Sequence, residues 1–81
     1  MRLAFSSNPC RALSTLAPGE TGVVVRVESD DEHRSSRLLA LGVTPGATVT
    51  VLQTCPGVVF LCDQTELVVE RVVATAIVIR G

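Results

Sequence analysis

Residues Arg37–Gly46 read Arg-Leu-Leu-Ala-Leu-Gly-Val-Thr-Pro-Gly, and this stretch decides the fold that we predict for the chain. Leu38 and Leu41 are three residues apart, which is the spacing of one face of a helix. Gly42 follows as a residue free to adopt the left-handed conformation that ends a helix. Pro45 and the glycine after it have the sequence of a type II turn. The stretch therefore predicts a helix, a helix stop and a turn in direct succession.

Strand patterns surround this stretch on both sides. Thr48–Val51 alternates threonine and valine, so we predict that its valines face the core. Gly22–Glu28 is predicted as a strand with Val23, Val25 and Val27 on one face. Two further apolar runs form a hairpin around residues 63–64. We predict strands at residues 22–28, 48–51, 58–62, 65–70 and 76–79.

The remaining local structure follows from polar and turn residues. Ser29, Asp30 and Asp31 offer oxygens and negative charge at the start of the short helix, which we place at residues 32–41. Besides residues 45–46, the pairs at residues 18–19 and 56–57 are also Pro-Gly, and each predicts a type II turn. Val72–Thr75 is predicted as a further single helical turn before the last strand.

Length and composition limit the architecture. The chain has 81 residues, of which 47% are hydrophobic, and many of these are valine. A chain this short forms one domain and leaves no room for a second. We predict a mainly β fold, a small, partly open barrel of about five strands with one short helix. The domain covers residues 1–81, with the barrel core at about 13–80 and residues 1–12 as an N-terminal extension.

Charge and hydropathy argue against several classes of partner. The seven basic residues are all arginine, they are dispersed, and the net charge is −1, so the chain lacks the basic stripe that nucleic acid requires. No run approaches the roughly 20 apolar residues of a membrane span. Residues 1–7 lack an apolar run long enough for a secretory signal. We therefore predict a cytoplasmic protein that neither binds nucleic acid nor inserts into a membrane.

The candidate chemical groups do not form a catalytic or metal-binding pattern. His33 is the sole histidine and lies in a polar segment, so we predict no enzyme activity. Cys55 and Cys62 are seven residues apart, whereas structural zinc favours ligand pairs two to four residues apart. Asp31 beside His33 has ligand types suited to Fe²⁺, but it equally suits helix capping. These four residues stay weak metal candidates, and we predict no cofactor.

Three segments carry a resemblance to a known family. They are Leu13-x-x-Leu16-x-x-Gly19-Glu20-x-Gly22-x-Val24, then Arg37–Gly46 with Val49 and Val51, and finally Glu70-x-x-x-Ala74-x-x-Ile77-x-Ile79. Together they span Leu13 to Ile79, and the chain resembles the FeoA-type proteins of bacterial ferrous-iron uptake. The resemblance implies an SH3-like barrel and a cytoplasmic accessory of FeoB, the membrane-embedded GTPase that moves Fe²⁺.

The resemblance leaves the partner-contacting residues to be predicted from the sequence. Arg34 and Arg37 lie at i and i+3, so both guanidinium groups can occupy one helix face, where local carboxylates or a partner could engage them. Leu39 is the helix leucine that we predict to face away from the barrel. We predict that these three residues contact the cytoplasmic part of the transporter. Two alternatives stay open, a small divalent-metal carrier and a barrel that forms homo-oligomers through its strand edges.

Overall fold

A computed structural model gives the structure of residues 10–81, in which one antiparallel sheet carries two α-helices and a short 3-10 helix at Leu13–Thr15. The elements are β1 (Cys10–Ala12), β2 (Thr21–Val27), α1 (Glu32–Ala40), β3 (Thr48–Gln53), β4 (Val58–Cys62), β5 (Thr65–Val69), α2 (Arg71–Ala76) and β6 (Ile77–Arg80). The strand order is β1-β6-β2-β3-β4-β5, so β1 and β5 are the two edges of an unclosed sheet. The predicted mainly β, partly open architecture is confirmed.

The described residues contain more regular structure than the sequence predicted. There are six strands where about five were expected, because Cys10–Ala12 pairs with β6 as an additional edge strand. These residues belong to the segment predicted as an N-terminal extension, whose residues 1–9 lie outside the described structure, as does the predicted absence of a secretory signal at residues 1–7. The predicted turn at Val72–Thr75 is confirmed as the short helix α2.

Within residues 10–81, the core is aliphatic around the aromatic ring of Phe60. Phe60 is fully buried, and Val49 and Val51 of β3 are fully buried beside it, as their alternation with threonine predicted. The main cluster consists of Leu13, Leu16, Val24, Leu38, Val43, Ala47, Val49, Val51, Val58, Phe60, Cys62, Leu67, Val73, Ala74, Ile77 and Ile79. None of the buried side chains within residues 10–81 is polar or charged, so burial of apolar surface is the main source of stability.

Helix α1 begins at a side-chain cap. The carboxylate of Asp31 accepts hydrogen bonds from the backbone N–H groups of His33 and Arg34, at 3.0 and 3.2 Å. These two donors have no partner inside the helix, so the cap satisfies them and places negative charge at the positive end of the helix. Of the capping oxygens that the sequence offered, Asp31 is the one the helix uses.

The end of α1 is a complete Schellman motif. The N–H of Gly42 donates to the carbonyl of Leu39 at 3.0 Å, and the N–H of Val43 donates to the carbonyl of Leu38 at 2.9 Å. Gly42 has a φ of 99°, which confirms the predicted helix stop. Leu38 and Val43 are both buried, so the motif includes the apolar contact that usually accompanies it.

Two of the three predicted type II turns are present. Gly19 and Gly46 have φ values of 91° and 95°, and each turn is closed by a hydrogen bond across its ends. The prediction for residues 56–57 was wrong, since Gly57 lacks the positive φ that a type II turn requires. A Cβ at Gly57 would lie 3.1 Å from the carbonyl oxygen of Val69. Glycine is favoured here because the backbone passes close to β5.

The predicted face of β2 also requires a correction. Val23, Val25 and Val27 do not share one face through the strand, because its register against β6 shifts between Val24 and Arg26. Val24 is buried, and beyond the bulge Val27 packs against the core as well. An extra residue in one strand reverses the alternation of side chains after it.

The turn at Gly46 gives a prediction about stability. We expect Gly46→Val to lower the free energy of unfolding by more than about 1 kcal/mol, because a β-branched residue is strained at positive φ. A Cβ there would meet no heavy atom within 4 Å, so the loss isolates backbone strain. Gly42→Val, at a φ of 99°, should also be costly. Urea unfolding checks this, with Gly46→Asn as the milder control, and equal stability of the Val and Asn variants would contradict it.

Candidate functional site: the grooves beside helix α1

Helix α1 lies beside the barrel with little of its surface buried. Leu38 is its one buried residue and is 3% exposed, whereas the adjacent Leu39 is 58% exposed. A groove therefore runs along each side of α1. The groove towards β5, here the β5 groove, has a volume of about 350 Å³, and the groove towards α2, here the α2 groove, has a volume of about 330 Å³.

The β5 groove has both apolar and charged side chains in its lining. It is lined by Asp31, His33, Arg34, Arg37, Leu38, Leu41, Val68, Val69, Glu70 and Val73. Val68 is 69% exposed and Leu41 is 47% exposed, so the groove combines an apolar surface open to solvent with two guanidinium groups. This mixture is typical of a surface that binds protein.

The two arginines predicted as partner contacts lie together on this groove. Neither Arg34 nor Arg37 forms an ion pair with a residue in the range 10–81, whereas Arg26 pairs with Glu28 at 2.6 Å. The local carboxylates that could have held them therefore do not do so there. Unpaired guanidinium groups at i and i+3 present several N–H donors with fixed geometry to a carboxylate ligand.

The third predicted contact residue, Leu39, occupies a different part of the helix. It is exposed, as predicted, but it lines neither groove. The structure instead adds Val68 and Leu41 to the apolar surface beside the arginines. Val68 could have been found from the sequence, because Leu67 faces inward on β5 and its neighbour must then face outward. The proximity of β5 to α1 has no local signal in the sequence.

The α2 groove is smaller and more polar. Arg34 lines this groove as well as the β5 groove, together with Glu28, Asp30 and Val72. Val72 is 60% exposed at the rim of α2. Arg34 therefore lies between the two grooves, where its guanidinium can bind a ligand in either one.

The weak metal candidates are used in other ways or lie apart. Asp31 caps α1, His33 is exposed on its first turn, and Cys55 is exposed in the loop before β4. Cys62 is buried and its thiol donates a hydrogen bond to the carbonyl oxygen of Gly42 at 3.3 Å. Across residues 10–81, no three His, Cys, Asp or Glu side chains are grouped to hold a metal ion.

The electrostatics of Cys62 disfavour its thiolate form. Burial raises the pKa of the Cys62 thiol, and the carboxylate of Asp63 raises it further. A cysteine binds zinc as the thiolate, so a raised pKa works against metal binding at this sulfur. Its hydrogen bond to Gly42 instead connects β4 to the end of α1.

These positions predict how the protein responds to a chelator. We expect the purified chain to carry well under one metal ion per molecule. Treatment with EDTA should leave the melting temperature unchanged, because a metal ion bound to the folded state alone would stabilise it by mass action. Metal analysis and a thermal melt with and without chelator check this. A stoichiometric metal whose removal lowers the melting temperature by several degrees would contradict the prediction.

Comparison with known proteins gives one family and several similar structures. The family model described as FeoA domain matches residues 11–81. The comparison with curated proteins gave no match. Among the described residues, no helix combines the length and the apolar character needed to cross a membrane.

Three solved structures are similar over most of their length. A FeoA protein from Chlorobium tepidum is 29% identical with a TM-score of 0.77, covering 85% of this chain and 68% of its own. An iron uptake regulatory protein, also FeoA, is 25% identical with a TM-score of 0.79, covering 89% and 96%. A zinc-complexed FeoA from Stenotrophomonas maltophilia, described as an SH3 domain protein, is 22% identical with a TM-score of 0.75, covering 84% and 87%. The predicted SH3-like architecture is confirmed.

Proposed function

The chain belongs to the FeoA domain family, and on this premise we propose that it acts in ferrous iron transport as a protein-binding accessory. Its partner is the cytoplasmic part of a membrane ferrous-iron transporter of the FeoB GTPase type, so the chain acts in the cytoplasm. It works by binding and not by catalysis. The similar proteins named for FeoA and for iron uptake regulation support a role in ferrous iron transport.

The surface around α1 carries the proposal for how the partner is bound. Arg34 and Arg37 are free of ion pairs within residues 10–81, and Leu39 and Leu41 are exposed on the same helix and its cap. Exposed apolar side chains beside unpaired arginines fit a partner surface that carries carboxylates and apolar groups. Arginine is enriched at the centres of such interfaces, and exposed apolar patches rimmed by polar residues mark sites of protein–protein contact.

A binding measurement with purified components tests the proposal. The chain is titrated with the cytoplasmic domain of the ferrous-iron transporter from the same organism, with an unrelated GTPase domain as the control. We expect saturable binding to the transporter domain alone, and we expect it to weaken as salt is raised, since arginine–carboxylate contacts are screened. Failure to bind in low salt, with both proteins folded, would overturn the proposed partner.

A further inference from the structure

Strand β5 has an edge of the sheet with free backbone groups. Within residues 10–81 it is the terminal strand, and β4 is its one partner. The hairpin has a two-residue turn, so Cys62 and Thr65 form a hydrogen-bonded pair, and hydrogen bonding alternates from there. Glu66 and Val68 therefore direct their N–H and carbonyl groups away from β4.

The side chains along this edge favour an apolar ligand. Val68 is the most exposed large apolar residue in the described part of the chain. It lines the β5 groove together with Leu41 and the buried Leu38. Exposed edge strands in natural proteins are usually protected by charge, proline or a covering element. Within β5 itself the outward positions are one glutamate and one valine, which protect the edge weakly.

The charges of the groove favour a ligand with carboxylates. Arg34 and Arg37 lie on the α1 wall and have no carboxylate within ion-pair distance in residues 10–81. Of the acidic residues in the groove, Asp31 already accepts two backbone N–H groups with its carboxylate. Glu70 is the other, at the residue before α2. The unused hydrogen-bonding capacity on the helix wall is therefore cationic.

From these three features we propose that an extended segment of the partner protein, alternating apolar and acidic residues, adds to β5 as a seventh strand. Its backbone pairs with Glu66 and Val68. Its apolar side chains lie against Val68 on the outer face of the sheet, and its carboxylates, on the opposite face, meet Arg34 and Arg37 of α1. This inference rests on the proposed function in that the occupant belongs to the partner, but the edge itself is tested separately.

NMR spectroscopy of the backbone amides tests the proposal, with spectra of the free chain compared with spectra of the chain bound to a peptide. The probe is a blocked peptide of about seven residues that alternates valine and glutamate, the length of an ordinary strand. A peptide that alternates valine and lysine is the control. We expect the glutamate peptide to shift the amide signals of Glu66 and Val68 and to slow their hydrogen exchange. The amide of Leu67 already pairs with Phe60 across the hairpin and should change little.

Two substitutions separate backbone pairing from side-chain contact. Val68→Pro removes the outward N–H, and proline is tolerated on an edge strand when its nitrogen faces solvent. We expect it to weaken binding of the glutamate peptide by up to about tenfold, the effect of losing one hydrogen bond. Val68→Thr keeps the N–H but replaces a methyl group by a hydroxyl, so it tests the side-chain contact alone, and we expect it to weaken peptide binding less than Val68→Pro does.

Each outcome bears on the edge independently of the transporter. Unchanged amides of Glu66 and Val68 in the parent chain, or equal binding of both peptides, would overturn the proposal even if the transporter domain binds elsewhere. Protection of these amides in the free chain that fades on dilution would assign the edge to a second copy and would also overturn it. Peptide binding at β5 without transporter binding would keep the edge site and reject the proposed partner.

Discussion

Replacing Leu38 by alanine should lower the free energy of unfolding by about 3 kcal/mol, a large part of the 5–15 kcal/mol typical of a domain. Leu38 is the only buried residue of α1, and it joins the core cluster beside Val43. The substitution removes apolar atoms from the core and leaves a cavity, and both effects lower stability. It also removes the main contact that holds α1 on the barrel, so both grooves should lose their helix wall.

The neighbouring residue supplies a matched control for this prediction. Leu39→Ala makes the same chemical change at a side chain that is 58% exposed, and we expect its effect to stay within about 0.5 kcal/mol. Urea unfolding of both variants gives the difference directly. Similar losses at Leu38 and Leu39 would show that α1 is oriented differently against the barrel.

The local features of the fold could be predicted where one residue type determines them. Gly42 ends α1, and Gly46 is part of the type II turn that follows, because positive φ at both positions favours glycine over any other residue. The same reasoning failed at Gly57, where glycine serves a close approach to Val69. It also failed at β2, because the bulge at Val25 arises from pairing with β6 and has no signature within the strand.

The candidate site could be predicted only in part. The spacing of Arg34 and Arg37 placed them on one helix face, and the structure brings both to the β5 groove. Val68 was missed although its outward position follows from the inward position of Leu67. The groove itself depends on the position of α1 relative to β5, which long-range packing determines. The free edge of β5 likewise follows from strand order, and strand order is a property of the whole sheet.

Combining Arg37→Glu with Leu39→Asp should weaken binding to the transporter's cytoplasmic domain by at least about a hundredfold. The first change replaces an unpaired cation with an anion that repels the carboxylates expected on the partner. The second places a charge where an apolar anchor is expected to contact the partner. Both side chains are exposed, so the variant should stay folded with a melting temperature within a few degrees of the parent chain. Titration with the transporter domain, beside a thermal melt, measures both effects.

A second double variant makes this result specific to α1. Arg80→Glu with Leu52→Asp changes charge and hydropathy by the same amounts at two exposed positions that line neither groove. If binding depends on the helix surface, this control keeps parental affinity, apart from the small effect of net charge on the association rate. Equal losses in the two double variants would mean that overall charge governs the interaction. Full binding by a folded α1 variant would exclude Arg37 and Leu39 as contacts and would leave β5 as the surface to examine.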